Sequence, residues 1–388
     1  MGACIVGWAH SPFGRLEDDD LESLIAGVVR EALAHATVSA SAVDGIWLGN
    51  LNGGLVPEIF CSSLVLQADD RLRWIPATRV ENACASGAAA VFSALDAIEA
   101  GRAKVALVVG AEKMTAVSGA EVTRVLGNAS YVREEAACGL TFPGIFAQMA
   151  QRYFEQYGDH SEILARIAVK NHANGVHNPW AHMRKDLGLD FCNTVSERNP
   201  VIAAPLRKTD CSLVSDGAAA LLLADESLVR DFPRAVSFRG RAQVNDYLPM
   251  SRRDPIAFEG PRRAWRQALE EARCGVRDLS FAEVHDCFTV AELLAYEAMG
   301  LAPPGQGARM IEDGSVYRDG RLPINVSGGL KAKGHPIGAT GVSMHVLSAM
   351  QLCSEAGDLQ IPGASLGAVF NMGGSAVANY VSVLERIQ

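Results

Sequence analysis

The amino-acid sequence predicts an α/β fold in which helices cover both faces of a mostly parallel sheet. Short apolar strands alternate with amphipathic helices as far as residue 110. A polar excursion over residues 113–215 then interrupts the alternation, and the second half of the chain repeats the order of the first. With 388 residues, 49% of them hydrophobic, the chain can bury a large core.

Hydrophobic periodicity predicts the first elements in order. Residues 3–8 form a short apolar run typical of a strand, and residues 21–36 carry apolar side chains at helical spacing. Residues 105–110 are continuously apolar, which indicates a strand buried on both faces. The same criteria predict strands at 45–48 and 74–80 and a helix at 85–100.

The excursion over residues 113–215 is richer in Asn, His, Pro and aromatic residues than the segment before it. It contains two helical stretches, 146–157 and 162–174, and we expect it to cross one face of the sheet. Residues 218–224 then form another buried strand.

The second half indicates a duplication. A helix with Ala32-Leu33 leads through a polar turn into an apolar run, and the same order recurs around Ala268-Leu269, more than half the chain away. This offset is too long for a solenoid repeat and suits a duplicated domain. Two final strands are predicted at 364–370 and 376–384.

Composition and charge argue against several classes of protein. The formal net charge of −9 disfavours a broad nucleic-acid or anionic-membrane surface. No stretch of about twenty residues is purely apolar, so no membrane span is expected, and the first residues resemble a strand rather than a signal peptide. The cysteines are odd in number and lack Cys-x-x-Cys spacing, which indicates reduced thiols in a cytoplasmic protein.

The first motif with chemical potential surrounds Cys84, in the segment VENACASGAAA. A strand ends here and a helix begins, so unpaired N–H groups and the partial positive charge of the helix N-terminus favour the thiolate. The small neighbouring residues allow a ligand to approach closely. The alternative is a packed core thiol, which is the usual state of a free cysteine.

The second motif, NVSGGLKAKGHPIGATG, is a glycine-rich turn that presents His335 before a helix. Gly329 and Gly334 have the spacing of a phosphate-binding loop, but His335 stands where that loop needs lysine, so a triphosphate site is not expected. The imidazole could deprotonate a thiol or donate to an oxyanion. An incidental exposed histidine is the alternative.

The third motif, EVHDCF, ends a strand and precedes an amphipathic helix. His285 and Cys287 are two residues apart, so both can face one cleft; a surface turn is the alternative. The three histidines between residues 172 and 182 recur every five residues. Since that spacing is not one helix face, no metal site is predicted.

Together and in this order, these motifs resemble those of the thiolase superfamily over essentially the whole chain. The segments that carry the resemblance are IVGWAHSPFGR, ENACASG, VGAEKM, SDGAAA, EVHDCF and GHPIGATG. The usual Asn-Glu-Ala-Phe reads His285-Asp286-Cys287-Phe288 here, and the usual Cys-x-Gly reads Asn371-Met372-Gly373. The chain therefore looks like the sterol-carrier-protein type of thiolase, without a lipid-binding domain.

The resemblance implies a thiolase fold, in which duplicated βαβαβαββ halves form a five-layered αβαβα architecture with an inserted loop domain. The N-terminal half would comprise residues 1–115, completed by 211–230. The loop domain, residues 116–210, would cover the CoA site, and residues 231–388 would form the C-terminal half.

The resemblance also implies a role for each site residue. Cys84 would be acylated by an acyl-CoA with His335 accepting its proton, and Cys287 would replace the missing cysteine at position 371 as the second reactive thiol. His285 and His335 would polarise one thioester oxygen, and the N–H groups of Cys84 and Gly373 would bind the other. Contacts to CoA are expected from Ser212 for the pantetheine arm and from Arg184, Lys185, Arg207 and Lys208 for the phosphates.

The implied activity is that of an acyltransferase of lipid metabolism that makes or cleaves a 3-oxoacyl-CoA. Its substrates would be acyl-CoA and CoA, with no tightly bound cofactor or metal. A homodimer or homotetramer is implied, and some relatives pair with an OB-fold, zinc-ribbon accessory protein. The alternatives are a decarboxylating condensing enzyme, a retro-aldolase or acyltransferase subunit, and a non-catalytic scaffold, which Asn371 would favour.

Overall fold

The computed structural model describes residues 2–388. Its strands are β1 (Ala3–His10), β2 (Gly45–Gly49), β3 (Ala77–Val80), β4 (Val105–Glu112), β5 (Val201–Ala203), β6 (Leu206–Arg207), β7 (Gly217–Asp225), β8 (Val236–Asn245), β9 (Phe281–Val284), β10 (Leu366–Gly373) and β11 (Ala378–Arg386). Its helices are α1 (Leu21–Ala36), α2 (Ser86–Glu99), α3 (Gly119–Gly127), α4 (Phe142–Tyr157), α5 (Ser161–Val176), α6 (Leu189–Asn193), α7 (Glu259–Ala272), α8 (Thr289–Ala298), α9 (Arg309–Glu312), α10 (Gly329–Lys333) and α11 (Ile337–Leu352).

The main sheet has nine strands in the order β3-β2-β4-β7-β1-β8-β11-β10-β9. Its two halves are joined where β1 pairs with β8, through only two residue pairs. Outward from this junction, β1, β7, β4 and β2 mirror β8, β11, β10 and β9. In the second half no strand corresponds to β3 among the described residues. At that position Ile324 forms a single bridge with Ala282 of β9. This mirrored order confirms the predicted duplication.

The sheet is mixed, so the prediction of a mostly parallel sheet is wrong. Between the strands described in residues 2–388, only β2 with β3, β2 with β4, and β9 with β10 pair in parallel. The last strand of each half, β7 or β11, runs antiparallel to both of its neighbours. In the first half this reversal follows the loop domain, which returns the chain to the sheet in the opposite direction.

Helices α2 and α11 lie between the two halves of the sheet. Helix α11 packs against β4 and β7 on one side and against β10 on the other, and every one of its residues is buried. Phe92 of α2 meets Tyr380 of β11 edge to face at 5.1 Å. The outer faces of the two halves are covered by α1 and α7. The result is the five-layered αβαβα arrangement.

Glycines bring the beginnings of α2 and α11 into backbone contact. A Cβ placed on Gly87 of α2 would lie 2.8 Å from the carbonyl oxygen of Gly338 in α11. A Cβ on Gly338 would lie 2.5 Å from the carbonyl oxygens of Ala111 and Gly49. No side chain fits at either position, so the two helices start next to each other and next to β4.

The excursion predicted over residues 113–215 contains α3 to α6 and the small ribbon of β5 and β6. Its two predicted helices are α4 and α5, whereas α3 and α6 were not predicted. Within residues 2–388, the helices are either too short or too polar to span a lipid bilayer.

Replacing Gly338 with Ala should lower the midpoint of thermal unfolding, because a methyl group would overlap two carbonyl oxygens. Such overpacking costs about 1–3 kcal/mol. Gly27 is the matched control, since it also lies inside a helix but has open space at its Cβ position. Gly27→Ala should raise the midpoint, because alanine favours a helix over glycine by up to about 1 kcal/mol. Equal effects of the two substitutions in differential scanning fluorimetry would contradict the close helix contact.

Candidate active site

Three chain segments bring one thiol and two imidazoles together inside the protein. Cys84 precedes α2, His285 follows β9, and His335 precedes α11. The Cys84 Sγ and one ring nitrogen of each histidine lie within 4.8 Å of one another, and all three residues are buried. The two imidazoles meet edge to face with their centroids 5.1 Å apart. The three separate sequence motifs therefore form one cluster.

A strained turn holds Cys84. Ala83 has φ of 49°, in the left-handed region that residues with a side chain rarely adopt. The Ser86 hydroxyl accepts the Asn82 N–H at 2.9 Å and donates to the Ala83 carbonyl at 2.6 Å, which closes the turn. Since α2 begins at Ser86, the Cys84 thiol lies just outside the helix and points away from it into the cluster.

The protonation state of Cys84 differs from the sequence-based expectation. Burial raises the pKa of the thiol to about 12, although backbone N–H groups of Gly374 and of Cys84 itself lower it. Loss of hydration outweighs the partial charge at the helix N-terminus. The resting thiol is therefore protonated at neutral pH and needs a base. One N–H that bonds to the sulfur belongs to Gly374, the neighbour of Gly373, which the family resemblance indicated.

His335 is arranged to serve as that base. Its Nδ1 lies 2.7 Å from the hydroxyl oxygen of Thr340, and that hydroxyl donates to the Pro336 carbonyl at 3.0 Å. Its Nε2 is buried without a hydrogen-bond partner. Burial, assisted by the positive charge of Lys333, lowers the pKa of His335 to about 3, so the imidazole is neutral.

His285 is neutral for the same physical reasons. Burial lowers its pKa well below the usual value, and the nearby His335 and Lys333 add to the effect. Its Nδ1 lies 2.9 Å from the side-chain nitrogen of Asn371, while its Nε2 is buried without a partner. Two neutral imidazoles thus face Cys84, each with a free Nε2.

Cys287 shares the cavity with Cys84. Burial raises the pKa of the Cys287 thiol well above its usual value, and the neighbouring Cys84 and Asp286 raise it further. The Cys287 carbonyl accepts the backbone N–H of Ser212 at 2.9 Å, which attaches this turn to the segment before β7. The cavity has a volume of about 150 Å³, and loop-domain side chains including Leu126 and Phe142 close its other side.

The residues expected to contact CoA lie in different environments. Ser212 lines the cavity, whereas Arg184, Lys185 and Lys208 are exposed outside it. Arg207 is not available to a phosphate, which corrects the sequence-based expectation. It is buried, and its guanidinium pairs with Asp210 at 2.8 Å while donating to the Asn193 side chain and the Ser161 carbonyl.

A buried polar network behind His285 was not predicted. Asp286 accepts the backbone N–H of Leu330 at 2.6 Å and an amide N–H of Asn171 at 2.7 Å. The same Asn171 amide donates to Glu292 at 2.6 Å, and Lys170 forms an ion pair with Glu292 at 2.8 Å. Asn171 and Lys170 belong to α5, so this network fastens the loop domain to the turn that carries His285. Only Asp286, inside the EVHDCF motif, offered a sequence signal.

Comparison with known sequences places both halves of the chain in one family. Residues 3–227 match the family model "Thiolase, N-terminal domain", and residues 242–386 match "Thiolase C-terminal domain-like". An acetyl-CoA acetyltransferase of Methanothermobacter thermautotrophicus is 36% identical over 386 residues, covering 98% of this chain and 99% of that protein. Sterol carrier protein 2 of Homo sapiens is 33% identical over 392 residues, covering 96% of this chain and 70% of that protein.

Solved structures agree in fold. An Ltp2-ChsH2(DUF35) aldolase superposes with a TM-score of 0.84 at 23% identity, covering 99% of this chain and 97% of that chain. Human mitochondrial 3-ketoacyl-CoA thiolase in complex with CoA superposes with a TM-score of 0.78 at 18% identity, covering 100% and 98%.

The rate at which iodoacetamide alkylates Cys84 should rise about tenfold per pH unit from about pH 7 to about pH 10, without a plateau. The reason is that only the thiolate reacts and its fraction grows in this way below the pKa. Peptide mass spectrometry can follow Cys84 and use the exposed Cys138 as an internal reference. A plateau beginning below about pH 8 would contradict a protonated resting thiol and indicate a preformed thiolate–imidazolium pair.

Proposed function

Since the chain belongs to the thiolase family and is a thiolase-like acyltransferase, we propose that it makes or cleaves a 3-oxoacyl-CoA through an acyl thioester on Cys84. The observation that carries the proposal is the cluster of Cys84, His285 and His335 within 4.8 Å, beside the second thiol of Cys287. The acetyl-CoA acetyltransferase at 36% identity over almost the whole chain supports acetyl-CoA as one substrate.

In the first half-reaction, the Nε2 of His335 accepts the Cys84 proton while the sulfur attacks the thioester carbonyl carbon. In the free protein, the high pKa of Cys84 and the low pKa of His335 oppose transfer of the proton, so the proton moves as the S–C bond forms. The tetrahedral intermediate then expels the CoA thiolate, which takes the Cys287 proton and departs as CoA thiol. Cys84 is left acylated, His335 protonated and Cys287 ionised.

In the second half-reaction, the Cys287 thiolate removes the α-proton of a second acyl-CoA. The resulting enolate attacks the acyl carbon on Cys84, so that a C–C bond forms and the C–S bond breaks. The departing Cys84 thiolate recovers its proton from His335, which restores the two thiols and the neutral imidazole. Thiolysis is the reverse sequence, with Cys287 protonating the enolate.

Two groups of donors would stabilise the negative oxygens. Protonated His335 and the free Nε2 of His285 face the enolate oxygen of the second substrate. The N–H groups of Cys84 and of the Gly373–Gly374 turn face the tetrahedral oxygen, since the Gly374 N–H already lies beside the Cys84 sulfur. In a buried site, one such donor is worth about 3–4 kcal/mol in the transition state.

CoA would enter along the side of the cavity that carries Ser212, with its phosphates near the exposed side chains of Arg184, Lys185 and Lys208. The solved thiolase that contains CoA supports this substrate, and its fold matches that of the present chain. No tightly bound cofactor is required, because protons and electrons balance among the two thiols, His335 and the two thioesters.

A homodimer formed through β3 fits the surface of the molecule. β3 is an edge strand with one partner, so its outer backbone groups are open to another strand. Ile59, Phe60 and Trp74 beside it expose 83%, 72% and 83% of their surface. A DUF35 accessory protein, as in the aldolase structure, is the alternative partner. Nine free thiols suit a reducing compartment such as the cytoplasm.

Incubation with acetyl-CoA should add about 42 Da, the mass of one acetyl group, to the intact protein. The modification should map to the peptide containing Cys84 and disappear on treatment with CoA. Cys84→Ala should gain no mass, whereas Cys211→Ala, which removes another thiol of the same cavity, should gain it normally. Absence of the adduct from folded wild-type protein would indicate a non-catalytic scaffold.

Cys287→Ala should still gain the acetyl group on Cys84, but more slowly, because the departing CoA thiolate lacks its proton donor. It should lose acetoacetyl-CoA thiolysis, because the enolate has no proton donor either. The expected loss of kcat is on the order of 10²–10⁴-fold, the usual contribution of a general acid or base. Full thiolysis by this variant would refute the assignment of Cys287. Turnover of malonyl-CoA by wild type, with no thiolysis, would instead indicate a decarboxylating condensing enzyme.

A further inference from the structure

We propose that Asn371 is a positioning residue that sets the tautomer of His285, so that this imidazole presents an N–H to the substrate oxygen. Asn371 stands where the usual thiolase motif has cysteine, and it is completely buried on β10. The chemical use of that N–H rests on the proposed function, whereas the tautomer is a property of the protein alone.

The orientation of the Asn371 amide follows from the backbone of Cys84. The side-chain nitrogen of Asn371 lies 3.1 Å from the Cys84 carbonyl oxygen and 2.9 Å from the Nδ1 of His285. A backbone carbonyl can only accept a hydrogen bond. The amide oxygen would be repelled at this position, so the NH₂ group must occupy it, and the ambiguity between the two ends of an asparagine side chain is removed.

The amide orientation determines the tautomer of His285. With one amide hydrogen directed at the Cys84 carbonyl, the other is directed at Nδ1, which must then be the unprotonated ring nitrogen. A neutral imidazole carries its single proton on the other nitrogen, so the proton is on Nε2. This Nε2 is buried and has no hydrogen-bond partner within the protein. The Nε2–H group is the only donor on the His285 ring, and it is free to bind a ligand.

His335 is held in the opposite tautomer. The Thr340 hydroxyl has one proton, which it donates to the Pro336 carbonyl, so it accepts from the His335 Nδ1 at 2.7 Å. The Nε2 of His335 therefore offers a lone pair. One imidazole can accept the Cys84 proton while the other donates to an oxygen, although both are neutral and both are buried. A soft metal ion bound between the two rings would need a lone pair on each Nε2. The Nε2 of His285 carries a proton instead, so it offers none.

Asn371→Asp tests the inference with a side chain of the same shape. A carboxylate only accepts, so it should draw the His285 proton from Nε2 to Nδ1. In ¹⁵N-histidine-labelled protein, the His285 signal, assigned by its loss in His285→Asn, should show Nε2 protonated in wild type and Nδ1 protonated in the variant. The kcat of thiolysis should fall by about 10²–10³-fold, as for loss of one oxyanion donor, with little change in KM.

Asn379→Asp is the matched control. Asn379 is also fully buried, on the neighbouring strand β11, but its side-chain nitrogen donates to the backbone carbonyls of Val244 and Ala376. The kcat of thiolysis by folded Asn379→Asp protein should stay near that of wild type. If Asn371→Asp fails to fold, Asn371→Ala serves instead, and its His285 spectrum should lose the exclusive Nε2 protonation.

Two results would overturn the inference: Nδ1 protonation of His285 in wild type, or an Asn371→Asp protein whose tautomer changes while kcat does not. Failure of the proposed function is distinguishable from both. In that case wild type would not be acetylated on Cys84, yet its spectrum would still show Nε2 protonation. Retained Cys84 acetylation in Asn371→Asp, with thiolysis lost, would locate the defect in the step that needs the His285 donor.

Discussion

The backbone contact between the beginnings of α2 and α11 is the constraint on which the active site depends. Each half of the duplicated fold contributes one helix to the middle layer, and glycines at positions 87 and 338 let their first turns touch. Cys84, the proposed nucleophile, precedes α2, and His335, the proposed base, precedes α11. A side chain at either glycine would move Cys84 and His335 apart. The stability of the core and the reactivity of the site therefore depend on the same few atoms.

The duplicated halves use equivalent positions differently. After β9, the second half places Cys287 in the cavity wall and His285 beside Cys84 and His335. After the equivalent strand β2, the first half presents Asn50 and the N–H groups of Leu51 and Asn52, all of which bind the buried Glu112. Glu112 also accepts the Gly338 N–H at 3.0 Å. The end of β9 thus carries the residues proposed to react with substrate, whereas the end of β2 binds Glu112, which holds the beginning of α11 in position.

The sequence was sufficient for the residues whose signals are local. Cys84, His285, Cys287 and His335 stand at the ends of strands and helices. In the structure Cys84, Cys287 and His335 line one cavity, and His285 lies beside Cys84 and His335. The ends of α4 and α5 shifted by only a few residues because both helices have a clear apolar face. Strand β8 gave no such signal, since exposed or half-buried polar residues interrupt its buried positions.

What could not be predicted depends on contacts between distant segments. Asn371 looked like a lost cysteine, and only the nearby carbonyl of Cys84 and ring of His285 give it a role. The sign of the Cys84 pKa shift was wrong because a local effect of the helix was weighed without the burial around it. Arg207 was assigned by its charge alone, although Asp210 stands one helical turn later in the sequence.

The fastening of α5 to the EVHDCF turn limits how this protein can be rebuilt. Lys170 and Asn171 belong to the loop domain, while Asp286 and Glu292 belong to the C-terminal half, and all four are buried. A loop domain transplanted from a relative would have to bring a compatible amine and amide, or leave two carboxylates unpaired beside His285. Substrate scope is thus better altered through the cavity walls of α3 and α4 than by exchange of the whole segment, which does not behave as a removable module.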